Sequence, residues 1–66
     1  MEISVNGERR VLDAGATVSD LLAGLNMRAD AIVVERNGAI VDRVRFADTA
    51  LAEGDVIELV HMVGGG

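Results

Sequence analysis

The 66 residues contain no cysteine, no proline, no lysine, no tryptophan and no tyrosine. Without cysteine there is no disulfide staple and no thiolate ligand. The single histidine, His61, falls short of the four ligands, mostly Cys and His, that a structural zinc takes. A chain this short buries only about 60% of the surface its unfolded form exposes, so its stability must rest on economical packing and good local geometry. The lack of proline leaves every residue its N–H for strand pairing. Phe46 is the lone aromatic, so the core must be aliphatic. No apolar run approaches the roughly 20 residues of a membrane helix. The start, Met1-Glu2-Ile3-Ser4, lacks the basic and apolar regions of a secretory signal. The expectation is a cytoplasmic protein with no membrane partner.

What the chain does have is 50% apolar residues, enough for a core and too many for a disordered segment. Eleven acids against six arginines give a net charge of −5. Such a surface repels phosphate backbones and excludes nucleic acid as the expected partner. It steers toward a basic protein surface, and it also serves solubility alone.

Alternation of Met1, Ile3 and Val5 with Glu2 and Ser4 predicts a half-buried strand. Asn6-Gly7 suits a type I′ hairpin turn, whose central residues need positive φ. Glu8 to Leu12 follows as a return strand, its charges fitting a sheet edge. Asp13 to Ala16 reads as a turn. Thr17 is a helix cap and Asp20, three residues on, makes a variant capping box. Val18, Leu21, Leu22 and Leu25 share one helical face. Gly24 within that pattern points to close packing or an early helix end. Asn26 to Asp30 is expected to be a polar loop.

Ala31 to Glu35 is β-branched and reads as a strand. Asn37-Gly38 is a second tight turn and Ala39-Ile40-Val41 a short strand after it. Asp42 to Asp48 is expected to form a short helical turn that tucks Phe46 under the sheet. Glu53-Gly54-Asp55 reads as a turn, and Val56 to Val63 as the final strand, apolar enough for the sheet centre. Beside the first strand it should run parallel, since a helix and more than a dozen residues separate them. The helix must lay its leucine face across the sheet.

Val5-Asn6-Gly7, Thr17-Val18-Ser19-Asp20-Leu21-Leu22, Asn37-Gly38-Ala39-Ile40-Val41, Gly54-Asp55-Val56-Ile57-Glu58 and the closing Gly65-Gly66 occur in an order that resembles the ubiquitin-like β-grasp proteins. Within them the chain is most similar to the small sulfur carriers of thiamine biosynthesis, the ThiS type. The resemblance covers the whole chain. It implies an α+β β-grasp fold: a mixed sheet of four to five strands with one main helix across one face. The domain would span residues 1–63, and residues 64–66 would form a flexible glycine tail.

The resemblance also implies a function. The carboxylate of Gly66 would be adenylated and then converted to a thiocarboxylate that donates sulfur for thiazole formation. The partners would be an E1-like adenylyltransferase, thiazole synthase, and a cysteine desulfurase or other persulfide donor. No cofactor would be bound, ATP being used by the activating enzyme. The physical reading agrees. A carboxylate is a poor electrophile until it carries a leaving group such as AMP. Glycines at 64 and 65 have no Cβ to obstruct passage of the tail into a narrow channel.

If Ile57 and Leu59 face the helix, Val56, Glu58, Val60 and Met62 face outward, as does Val33 on the neighbouring strand. Val60, Met62 and Val33 are the expected docking residues, an exposed apolar patch marking a partner surface and methionine adapting to more than one partner. Ordinary packing within the sheet is the competing reading. His61 has no nucleophile or carboxylate placed beside it by sequence, and nothing else suggests a catalytic constellation, so the chain is expected not to be an enzyme. The alternatives are a small sulfur-carrying subunit for molybdopterin synthesis, whose glycine pair tends to follow a proline that is absent here, or a ubiquitin-like protein modifier. With no lysine, this chain has no side-chain amine through which a modifier could build chains on itself.

Overall fold

In the computed structural model, which describes residues 1–62, alternating apolar positions and two Asn-Gly turns generate most of the architecture. β1 (Glu2–Val5) buries Ile3 and Val5 and presents Glu2 and Ser4 outward. Asn6 and Gly7 adopt φ 49° and 82°, as a type I′ turn requires, and return the chain as β2 (Glu8–Val11), exposed along its whole length. β3 (Ile32–Arg36) and β4 (Ala39–Val41) form a second hairpin through Asn37 and Gly38, at φ 51° and 87°. β5 (Val56–His61) completes the sheet. The order is β2-β1-β5-β3-β4, with β5 central, parallel to β1 and antiparallel to β3. The described residues thus form the mixed five-stranded sheet that the resemblance implies.

The helix α1 (Val18–Gly24) begins where the capping box predicts. Thr17 Oγ1 accepts from the Asp20 amide at 3.2 Å and Asp20 Oδ2 from the Thr17 amide at 2.9 Å. The other free amides of the first turn are bonded too, Val18 to the Thr49 carbonyl and Ser19 to the Phe46 carbonyl, at 3.0 and 3.1 Å. These bonds fasten the 3-10 turn at Arg43–Arg45 to the helix start, which is how Phe46 comes to be buried at 3% exposure.

Gly24 is the last helical residue, yet the stop signal is Asn26. Asn26 sits at φ 57°; its amide bonds the Ala23 carbonyl, and the Met27 amide bonds the Leu22 carbonyl. That pair of bonds is a Schellman motif with asparagine in the left-handed position. A Cβ at Gly24 would meet nothing within 4 Å, so close packing is not its reason.

The core lies between α1 and one face of the sheet. It is Ile3, Val5, Val18, Leu21, Leu22, Ile32, Val34, Phe46, Leu51, Ile57 and Leu59, with no second aromatic. Several boundaries differ from the sequence reading: β1 starts at Glu2 rather than Met1, β2 ends at Val11 rather than Leu12, and β3 ends at Arg36 rather than Glu35. The polar loop expected over Asn26 to Asp30 instead runs from the Schellman turn into a 3-10 turn at Ala29–Ala31, where the Ala31 amide bonds the Arg28 carbonyl, so β3 starts at Ile32 rather than Ala31. The final strand ends at His61 rather than Val63; Val63, and with it the division expected between residues 1–63 and the tail, lies outside the described residues.

Candidate functional site

β5 is the element that leads to the glycines, and its flanks are held by more than the ladder. Asn6 donates from Nδ2 to the Leu59 carbonyl and accepts from the Leu59 amide at 2.7 Å. Asn37 accepts from the Val56 amide at 2.8 Å and donates its own amide to the Val56 carbonyl. The two turn asparagines therefore extend the sheet with their side chains, one on each side of β5. Past the end of β5, the Met62 amide donates to the Ala31 carbonyl at 2.9 Å.

The start of β5 is fixed by Asp55, which is 6% exposed. It accepts from Arg36 Nε and the Ala52 amide at 2.8 Å each, and from Asn37 Nδ2 at 3.0 Å. Burial pushes its pKa up, but these three donors outweigh that and hold it below the ordinary carboxylate value. Sequence reasoning took Asp55 for a turn residue. The signal it lacked was Arg36-Asn37, nineteen and eighteen positions earlier, whose donors converge on Asp55 only after β3 and β5 pair.

Among the described residues no helix covers the face of the sheet opposite α1. Val56, Val60 and Met62 are about half exposed, at 48%, 52% and 47%, as the alternation predicts. Val33 lies directly opposite Val60 across the β3–β5 pair. Val33 and Met62 also line one shallow depression with Ile40 and Val41. The structure thus brings the three expected docking residues together beside the exit of β5. It adds Ile40, 69% exposed and opposite Glu35, which the sequence reading passed over because its strand is only three residues long. His61 is a strand residue paired with Ile32. Gly64, Gly65 and Gly66 lie outside the described residues. Among the described residues no helix is long and apolar enough to cross a membrane.

The profile of the ThiS family matches residues 3–66. A thiazole synthase of Magnetococcus marinus is 44% identical over 66 residues, which is all of this chain and 20% of that protein. The sulfur carrier protein ThiS of Bacillus subtilis is 44% identical over 50 residues, 76% of each chain. The crystal structure of a thiamine biosynthesis protein (ThiS) from Geobacter metallireducens superposes with a TM-score of 0.85, at 33% identity and over 100% of both chains. The chain accordingly spans about a fifth of one curated relative's length and most of the other's.

Proposed function

The chain belongs to the ThiS family, and from that premise we propose that it is a sulfur carrier for thiazole formation in thiamine biosynthesis. The reactive group is the carboxylate of Gly66. A carboxylate oxygen attacks the α-phosphorus of ATP on an E1-like adenylyltransferase, and pyrophosphate leaves. The terminal sulfur of a persulfide then attacks the acyl carbon and AMP departs with the bonding electrons. A thiol reduces the resulting acyl disulfide by two electrons, leaving the thiocarboxylate on Gly66 and a disulfide on the donor side. Thiazole synthase takes the sulfur. The chain is a co-substrate in this sequence rather than a catalyst, binds no cofactor of its own, and works in the cytoplasm.

The observation that supports this reading best is the fixing of β5 from Asp55 to Met62, with only Val63 between Met62 and the three glycines in sequence. Gly66 is the fourth residue after Met62, and four residues fully extended reach at most about 14 Å. An activating enzyme that holds the Gly66 carboxyl must therefore also touch the surface near the end of β5. There the open face offers Val33, Ile40, Val60 and Met62. The relatives named thiazole synthase carry a region like this chain within their own length, which supports thiazole synthase as the acceptor.

The direct test is ATP–pyrophosphate exchange catalysed by the adenylyltransferase in the presence of this protein. Wild type is expected to support exchange once intact mass shows a chain ending at Gly66. Gly66→Ala should abolish it without moving the melting temperature. Equal exchange by both proteins would contradict the proposal.

A further inference from the structure

The open sheet face carries a charge arrangement that the fold itself does not use. Glu35 of β3 and Glu58 of β5 stand directly opposite each other on that face. Like charges in this position destabilise a sheet. The ion pairs among the described residues are Arg9–Glu2, Arg28–Asp30 and Arg36–Asp55, and none of them involves Glu35 or Glu58. Apolar residues flank the two acids. Val33 and Val60 form the adjacent cross-strand pair, Ile40 lies beyond Glu35, and Val56 is two residues before Glu58.

An apolar face enclosing two unneutralised carboxylates selects its occupant by charge. We propose that this face binds a protein surface that inserts one arginine between Glu35 and Glu58 while apolar side chains around that arginine cover Val60, Ile40 and Met62. Directly opposite residues have Cβ atoms about 5 Å apart, so a single planar guanidinium, with five donors in a fixed fork, can bond both carboxylates at once. A lysine ammonium, a compact and strongly hydrated point charge, fits such a partly dry bridge less well. The apolar surround strengthens the bridge by excluding water. The inference rests on the sulfur-carrier reading, because the occupant is the adenylyltransferase, held by the short reach of the chain beyond Met62.

The test compares wild type with the double variant Glu35→Gln/Glu58→Gln in binding to the adenylyltransferase, by surface plasmon resonance at two salt concentrations and by thermal melting. The variant should fold at least as stably, since the like-charge pair is gone. Its Kd should rise about thirtyfold or more, mainly through faster dissociation, as expected when a bonded and covered charge pair is lost. An unchanged Kd would overturn the arginine bridge while leaving the sulfur-carrier reading intact. So would an effect confined to the association rate, which would mean long-range steering only. If the chain self-associates in sedimentation and Val60→Asp abolishes this, the face belongs to a second copy and the proposal falls. If wild type does not bind the adenylyltransferase at all, both readings fall together.

Discussion

At the scale of single residues, Asn6, Asn37 and Asp55 each carry more than the sequence discloses. The Asn-Gly dipeptides announce tight turns, and the positive φ of all four residues agrees. That the same asparagines also bond the main chain of β5 depends on the sheet order, and no local pattern encodes it. Asn37→Gly separates the two roles, because glycine keeps the turn geometry and deletes the side-chain bonds to Val56 and Asp55. The expected cost is about 1–3 kcal/mol, since the buried Asp55 carboxylate loses a donor, measured by urea denaturation.

Asp55 gives a pH signature. Its folded-state pKa is depressed, so its contribution is present above the unfolded value of about 3.9 and is lost as pH falls through the folded value. The stability difference between wild type and Asp55→Asn should therefore be full above about pH 4 and shrink below it. A difference that stays constant down to strongly acidic pH would mean that the depressed ionisation contributes nothing. Gly24→Ala runs the other way. Position 24 is helical, exposed and free of neighbours, so alanine should stabilise the protein by up to about 1 kcal/mol, visible as a higher melting temperature.

At the scale of elements, legibility followed periodicity. Strand alternation placed Ile3, Val5, Ile57 and Leu59 inside and Val56, Val60 and Met62 outside, and the structure agrees. The capping box located the start of α1 to the residue. Its end was harder to read, because the Schellman turn uses Asn26 where glycine is the commoner signal, and Gly24 drew attention two positions early. The 3-10 turn at Ala29–Ala31 has three residues and no periodicity to betray it. β5 is the element on which the rest depends. Leu59, 7% exposed in the core beneath it, should cost about 2–5 kcal/mol when cut to alanine. A domain of this size has only about 3–10 kcal/mol in all, so Leu59→Ala is expected to melt far below wild type, followed by circular dichroism.

At the scale of the whole molecule, the proposed function divides labour between a scaffold and a chemical terminus. The scaffold buries an aliphatic core, ties β5 down from Asp55 to Met62, and leaves one face of the sheet open beside the strand's exit. The composition suits a carrier of activated acyl groups. With neither lysine nor cysteine anywhere in the chain, no side-chain amine or thiol is available to capture the acyl adenylate before the persulfide does. This was legible in the sequence as a plain count, whereas the opposition of Glu35 and Glu58 required the β3–β5 register. The most direct measurement is the intact mass of the protein after incubation with ATP, the E1-like adenylyltransferase and a persulfide donor. A sulfur carrier gains the mass of one sulfur-for-oxygen exchange, with tandem fragmentation assigning the change to Gly66. An unchanged mass under conditions in which the enzyme adenylates an authentic carrier would contradict the account.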